Sequence, residues 1–329
     1  MFKTKQFRRA FCVALVMAAF PMASFAQAFP SKPIRILLGY GAGGGMDNLA
    51  RLYGPKLSEV LGTPVVIENR PGASELLAAQ PTQNSQPDGY TLWIGSAGAL
   101  SQGPGVRTDL PYDPLKNFTP INLIGEAQAV VLIRSGLAVN NMRELIAYAR
   151  ANPGKLNYGS AGIGAGNHLH TEHMQVMTKT SMVHVPYKSD AEVTRDLMAG
   201  NVDFALVIAA SATPLVTEGK LRAIAVTGNQ RLRGLPDVPT IAESGVPELA
   251  GVGSYTFYGL MGPADMPAAI VQRINEAFNK VAMMPEINQR MREGFNIQPA
   301  TVTPVAFHQF MEKDIKQWQQ LRGKVKVGN

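Results

Sequence analysis

The chain has 329 residues, of which 46% are hydrophobic, and this is enough for two domains with sizeable cores. The formal net charge is +7, but four of the 31 basic residues lie within residues 3–9. Without them, 27 basic residues face 24 acidic ones. No run of Lys and Arg with interleaved aromatic residues remains, which argues against nucleic-acid binding.

The first 26 residues have the pattern of a cleavable secretory signal. Basic residues within 3–9 precede an apolar segment, 10–23, and Ser24-Phe25-Ala26 supplies the small residues that a signal peptidase needs. The apolar segment is short for a permanent membrane-spanning helix, although an N-terminal anchor is the alternative. The Arg8-Arg9 pair resembles a twin-arginine signal only weakly, and we favour the general export route. A periplasmic location is therefore predicted.

The single cysteine, Cys12, lies inside this segment. The mature chain would then contain no cysteine. That excludes a disulfide, a thiol nucleophile and a cysteine-ligated iron–sulfur cluster.

Strands and helices alternate through the first part of the mature chain. The predicted elements are a strand over 34–38, a helix over 46–60, strands over 65–69 and 90–94 with a short helix over 75–80 between them, and strands over 119–123 and 130–134. This alternation is typical of a parallel sheet with helices on its faces.

The second part repeats the pattern. Its predicted elements are a helix over 142–151, a strand from 156, a helix over 167–178, a strand over 182–185, a helix over 191–199, strands over 202–208 and 221–226, a returning segment over 255–260, and helices over 268–283, 285–293 and 304–321. We predict two α/β domains, with residues 27–128 plus 253–329 in the first and 129–252 in the second.

Three loops share one composition. The loops Tyr40–Asp47, Gly95–Gly98 and Tyr158–Asn167 each follow an apolar strand and consist largely of Gly, Ala and Ser. In open α/β sheets, ligands bind beyond the carboxyl ends of the strands. Glycine lets a ligand approach the backbone, and the helix that follows offers free N–H groups and a positive dipole end. Three such loops around one cleft would bind a small anion, whereas ordinary turn chemistry is the alternative.

Motifs of known enzymes are missing from these loops. A dinucleotide fingerprint fails because Met46 stands where its third glycine belongs, and a nucleophile elbow fails because Tyr158 stands two residues before Ser160. Neither a phosphate-binding Gly-Lys-Ser/Thr loop nor a His-Glu-x-x-His motif occurs. We therefore predict that the protein is not an enzyme and takes no cofactor.

Three histidines lie close together in the sequence. His170 and His173 are three residues apart on a predicted helix, so they share a face and could bind a metal. No set of carboxylates or thiolates accompanies them, and we predict no metal site. We expect His168 at the helix start near a ligand, and the other two on the surface.

Several segments together resemble the substrate-binding receptors of tripartite tricarboxylate transporters. They follow one another along nearly the whole mature chain and are Phe29–Arg35, Gly43–Asp47, Val66–Ala73, Pro87–Leu92, Leu110–Pro114, Leu156–Gly162, Val183–Lys188, Gly219–Ala223, Leu235–Thr240 and Tyr258–Leu260. The resemblance implies an α/β, two-domain periplasmic binding protein fold (type II-like), with a cleft between the domains and two crossover segments.

The resemblance also implies a function. Receptors of this family bind an organic carboxylate, here a di- or tricarboxylate or an aromatic carboxylate, and deliver it to a two-component membrane permease. Backbone N–H groups, hydroxyls and water would hold the ligand, and we expect a monomer. A periplasmic ligand sensor for a membrane kinase and a secreted α/β enzyme are the alternatives.

Candidate ligand-binding residues come from the positions that match the family. They are Tyr40, Gly44 and Asp47 in the first loop, Ser96 and Ala97 in the second, Ser160, Ala161 and His168 in the third, and Tyr187 as a further wall residue. We expect Asp47 to cap its helix and fix the loop, not to touch an anion. Tyr187 fits a core position equally well.

The chain also departs from the family pattern at the rim of the expected cleft. Gly41-Ala42 replaces two prolines, Ser74-Glu75-Leu76 replaces glycines and an asparagine, and Lys188-Ser189-Asp190 replaces Lys-Gly-Ser. Val207 stands where an acidic residue is usual. These changes make the rim more apolar, so an aromatic or longer-chain carboxylate fits as well as a small dicarboxylate.

Overall fold

The structure is a computed structural model that describes residues 29–43, 45–187, 189–250, 252–253 and 255–324. The predicted signal segment and Gly44 lie outside the described residues. The strands are β1 Ile34–Leu38, β2 Val65–Asn69, β3 Thr91–Ser96, β4 Phe118–Ala127, β5 Ala129–Ile133, β6 Asn157–Ser160, β7 Val183–Pro186, β8 Phe204–Ile208, β9 Arg222–Val226, β10 Thr256–Pro263 and β11 Ile297–Pro299.

Helices connect these strands and form the end of the described chain. They are α1 Gly45–Leu61, α2 Leu76–Gln83, α3 Gly103–Val106, α4 Met142–Ala151, α5 Gly166–Thr178, α6 Asp190–Ala199, α7 Ala209–Thr217, α8 Ala268–Ala282, α9 Pro285–Gln289 and α10 Pro304–Gln319. A π-helical turn, Gly98–Gln102, leads directly into α3. Within the described residues, we find no helix with the length and apolar character needed to cross a membrane.

The strands form two sheets, which we call the first and the second half of the molecule. The first has six strands in the order β11-β4-β10-β3-β1-β2, and the second has five in the order β7-β6-β8-β5-β9. The two-sheet α/β architecture agrees with the prediction, but the sheets are mixed and not purely parallel. Strand β10 runs antiparallel to β3 and β4, and β5 runs antiparallel to β8 and β9. These are the strands on which the chain returns to the first sheet and leaves for the second.

The chain passes between the sheets at two places, near the two predicted crossover segments. On the outward passage, Gln128 alone separates β4 from β5. Its Nε2 donates to the Thr227 carbonyl oxygen and, at 2.6 Å, to that of Gln230. The Thr227 hydroxyl accepts from the Ala129 N–H at 2.9 Å. The outward crossover is therefore anchored to the end of β9.

Apolar cores cover both faces of each sheet. In β1, Ile34, Ile36 and Leu38 pack with α1 and α8 on one face, and Leu37 packs with Phe307 of α10 on the other. Alternate residues of a strand point to opposite faces, so a strand that is apolar on both must be covered on both. The glycine loop after β1 is thus held on a rigid, doubly covered strand.

Candidate functional site

The first two predicted loops meet at the carboxyl ends of β1 and β3. The Tyr40 hydroxyl lies 3.2 Å from Ser96 Oγ. Tyr40 is 43% exposed, whereas Ser96 and Ala97 are buried. The two strands are adjacent and parallel, with Leu38 opposite Ile94, so their ends come to the same edge of the sheet. Tyr40 is the member of this group that solvent or a ligand can reach.

A third side chain, Glu75, completes this group and is absent from the predicted site. Ser96 Oγ donates to Glu75 Oε1, and the Ser96 N–H lies 3.3 Å from each carboxylate oxygen. Glu75 is only 4% exposed. Burial raises the pKa of Glu75 to about 7, while the hydrogen bonds from Ser96 oppose this rise. The departure at Ser74-Glu75 from the family pattern was the signal in the sequence that could have found it.

Asp47 fixes the first loop. Its carboxylate accepts hydrogen bonds from the Gly43 N–H at 2.8 Å, from Arg51 Nε at 2.9 Å and from Asn69 Nδ2 at 2.9 Å. The Arg51 hydrogen bond, followed by that of Gly43, lowers the pKa of Asp47 to about 2 against the effect of burial. Asp47 is 2% exposed and ties the loop to α1 and β2.

In the third loop, Ser160 is fully buried. Its hydroxyl lies 2.5 Å from His184 Nε2 and donates to the Gly162 carbonyl at 3.1 Å. The His184 ring stacks on His168 with centroids 4.1 Å apart. Burial, followed by repulsion from His168, lowers the pKa of His184 to about 4. His184 was not predicted, since its sequence position in a strand gives no sign of this contact.

Several N–H groups of the third loop and of the first turn of α5 have acceptors within the same segment. The Ala161 and His168 N–H groups donate to Asn167 Oδ1, each at 3.1 Å, and the Gly164 N–H donates to His168 Nδ1 at 3.1 Å. Asn167 in turn donates to Asp190 Oδ1 at 2.8 Å. These N–H groups are therefore already hydrogen-bonded, and an anion here would have to replace Asn167 Oδ1 or His168 Nδ1 as their acceptor.

Tyr187 lies beside this loop in the second half. Its N–H donates to the Ser160 carbonyl at 2.8 Å, and its half-buried ring packs against the core that covers one face of the second sheet. This position matches the core alternative that the sequence left open.

The prediction that His170 and His173 lie on the surface is wrong. They are 5% and 7% exposed, and the His170 ring packs edge-on against Trp318 of α10 at a centroid distance of 4.9 Å. His170 Nε2 lies 2.7 Å from the Tyr255 carbonyl oxygen. The shared helix face faces the other half of the molecule, which is distant in sequence. In the described part of the chain, no three His, Cys, Asp or Glu side chains are grouped so as to hold a metal ion.

A cavity of about 350 Å³ lies next to these histidines, between the two halves. Its lining includes Gln102, His173 and Asp314 and, of the predicted residues that the structure describes, only Ala97. It is therefore a neighbour of the predicted site and not the site itself.

Tyr255, at the returning crossover, connects the two halves. Its hydroxyl approaches the first turn of α5 and lies 3.2 Å from the Cβ position of Gly166. Burial raises the pKa of Tyr255, and the charges of Asp190 and Tyr40 add to this rise. The residue thus stands between the Tyr40 group of the first half and the Asn167 loop of the second.

Residues 49–327 match the family model described as tripartite tricarboxylate transporter family receptor. A Cupriavidus necator relative, the UPF0065 protein in the gbd 5' region, is 35% identical over 308 residues, which cover 92% of this chain and 90% of that protein. An R. palustris protein solved with adipate is 32% identical with a TM-score of 0.76, over 89% of this chain and 97% of that one. The periplasmic binding protein BugD is 29% identical with a TM-score of 0.74, over 91% and 99%.

Proposed function

This chain belongs to the tripartite tricarboxylate transporter receptor family, and we propose that it binds an organic carboxylate in the periplasm and delivers it to a two-component membrane permease. The family and the fold are those of solute-binding receptors and not of enzymes. The adipate in the R. palustris neighbour supports a carboxylate of that size class as the ligand here.

One observation carries the proposal. Tyr255 connects the segments that follow β3 and β6: its carbonyl accepts from Gln102 Nε2 at 3.2 Å, and its hydroxyl lies 3.2 Å from the Cβ position of Gly166. Burial, followed by the charges of Asp190 and Tyr40, raises the pKa of Tyr255. Ligands of open α/β sheets bind at such strand ends. We propose that Tyr40, Gly44, Asp47, Ser96, Ala97, Ser160, Ala161, His168 and Tyr187 form or support the ligand site.

The predicted domain boundaries belong to the same proposal. Residues 27–128 with 253–329 would form one domain and 129–252 the other, and a monomer would close on its ligand by rotation about the two crossovers. A hydrogen bond to a charged group contributes about 1.5–3 kcal/mol net. A few of them therefore reach the roughly −8 kcal/mol of micromolar binding.

A thermal-shift screen tests the proposal. Mono-, di- and tricarboxylates, aliphatic and aromatic, are offered to the purified mature chain, and the best ligand is then titrated calorimetrically. At about a hundredfold excess over Kd, a bound ligand stabilises the chain by about 2.7 kcal/mol, which raises the Tm by about 5 °C or more. If no organic acid shifts the Tm, the carboxylate receptor is refuted. Loss of uptake of that acid in a deletion strain supports transport, and unchanged uptake contradicts it.

A further inference from the structure

Three oxygen-bearing groups of the first half form a hydrogen-bonded row that ends at Tyr40, a residue that is 43% exposed. Ser96 Oγ donates its one proton to the Glu75 carboxylate, which can only accept while ionised. Ser96 Oγ is then left as an acceptor for the Tyr40 hydroxyl 3.2 Å away. The Tyr40 proton therefore points toward Ser96, and the lone pairs of the Tyr40 oxygen remain as acceptors.

The backbone around Glu75 is built to hold the carboxyl in this place. Ala73, Ser74 and Glu75 have φ angles of 48°, 51° and 73°, although none of them is glycine. Each such conformation costs about 1–3 kcal/mol and persists only where the surroundings impose it. Gly39 contributes the space, because a Cβ there would overlap Glu75 Cβ. Backbone strain at residues 73–75 and the absence of a side chain at Gly39 thus allow Glu75 to contact Ser96.

Neutral groups surround this carboxyl. The titratable side chains whose electrostatics it affects are Tyr40, Tyr112 and Tyr258, from three separate segments. The charge of Glu75 is the main cause that raises the pKa of Tyr40, whereas burial dominates for the other two. No Lys, Arg or His forms an ion pair with Glu75 among the residues that the structure describes. Of the three tyrosines, only Tyr40 is linked to Glu75, through Ser96, whereas the Tyr112 hydroxyl donates to the Ala99 carbonyl at 2.7 Å.

We propose that Glu75 is a positioning residue for specificity. When it is ionised, it acts through Ser96 and Tyr40 to make the first half of the site accept a hydrogen bond, so that the ligand is a carboxylate that carries an N–H donor, such as a carboxamide, at its other end. This inference rests on the proposed carboxylate receptor. A second carboxylate at that end would meet the lone pairs of Tyr40 and the charge of Glu75, and it would be rejected.

Matched pairs of ligands test the inference. Succinate, glutarate and adipate are each compared with their monoamides, which have nearly the same shape, by calorimetry at pH 8. The wild-type chain binds the preferred monoamide about tenfold or more tightly than its diacid, the ratio expected from one misplaced charged hydrogen bond. Glu75→Gln lowers this ratio about tenfold.

Two further variants separate the effect of the hydrogen-bonded row on the ligand ratio from the effect of removing a negative charge. Ser96→Ala keeps the Glu75 carboxylate but removes the link to Tyr40, and we expect the ratio to fall here as well. Glu59→Gln removes the same charge from the exposed face of α1, where its side chain is 63% exposed, and the ratio stays at the wild-type value. Far-UV circular dichroism and thermal unfolding establish that each variant is folded.

The outcomes are distinct. A wild-type chain that prefers a diacid overturns the inference and leaves the carboxylate receptor intact, as does an unchanged ratio in Ser96→Ala. If neither the diacids nor the monoamides bind, the proposed receptor falls together with the inference.

Discussion

The two halves of the molecule each place a buried serine hydroxyl at the end of a strand, but they give it opposite partners. Ser96, at the end of β3, donates to the carboxyl of Glu75, whereas Ser160, at the end of β6, lies 2.5 Å from the imidazole of His184. Similar backbone geometry therefore supports an acid in one half and a base in the other. Burial favours the neutral form of both.

The two halves should consequently respond to pH in opposite directions. Burial raises the pKa of Glu75 from 4.5 to about 7, so the native state holds the proton more strongly than the unfolded chain does. Its stabilisation is complete below pH 4.5 and is lost as the pH rises through 7. Burial lowers the pKa of His184 from 6.5 to about 4, so its contribution is present above pH 6.5 and is lost as the pH falls through 4.

The largest effect is expected from Glu75→Gln. In the wild type, the Glu75 carboxyl should reduce the free energy of unfolding by roughly 3 kcal/mol between pH 4.5 and 7, since one pKa unit is about 1.4 kcal/mol. The variant should lack this decrease. Urea unfolding at intervals from pH 4.5 to 8 measures it, with Glu59→Gln as the control. Parallel curves for wild type and Glu75→Gln would show that Glu75 does not titrate as described.

Gly39→Ala should also perturb the first half alone. The new Cβ would overlap the Glu75 side chain and backbone, and we expect a loss of roughly 2 kcal/mol in the free energy of unfolding. Gly41→Ala is the matched control, because a Cβ at Gly41 meets no atom within 4 Å. Equal stability of the two variants in urea would contradict the close approach of Glu75.

His184→Asn should change how the free energy of unfolding depends on pH below 6.5, which we call the acid limb. We expect the decrease in the free energy of unfolding from pH 6.5 to 4 to become smaller by about 1–2 kcal/mol, less than the pKa shift alone implies because the ring is only partly buried. The same urea series measures this. His308→Asn, in α10, is the matched control for the removal of an imidazole from another part of the chain. If His184→Asn and the wild type lose stability equally between pH 6.5 and 4, His184 does not contribute to the acid response of the second half.

Ser160→Ala should produce the smallest effect. The hydroxyl is buried and bonded to His184, so its loss should loosen the third loop and weaken the best ligand by about 1 kcal/mol. Calorimetric titration checks this, with Ser211→Ala as a control in α7. Unchanged affinity would place Ser160 outside the ligand site.

Local sequence patterns predicted the regular elements well. The bounds of β1, β2 and α4 agree with the prediction, because each has a short apolar run or a capped apolar stripe. Asn141 caps α4 by accepting from the Glu144 N–H, a contact that spans three residues. By contrast, α7 was missed, since its first turn continues directly from β8 and Pro214 interrupts its pattern.

The site was predicted only in part, because its contacts join residues that are distant in the sequence. The strand-end loops follow from composition and order along the chain, which are local features. The partners of Ser96 and Ser160 are 21 and 24 residues away, and the partner of His170 lies on the last helix. No periodicity of one segment specifies a contact with another, so Glu75, His184 and the burial of His170 emerged only from the structure.

The passage from β4 to β5 has a mechanical consequence. With Gln128 as its single intervening residue, the outward crossover has almost no slack, and its side chain is tied to two carbonyl groups of the segment that follows β9. A five-residue strand is about 17 Å long, so a ten-degree turn about this point displaces its far end by about 3 Å. If the two halves rotate about this residue, as proposed above, small torsional changes at one peptide produce displacements about as long as a hydrogen bond.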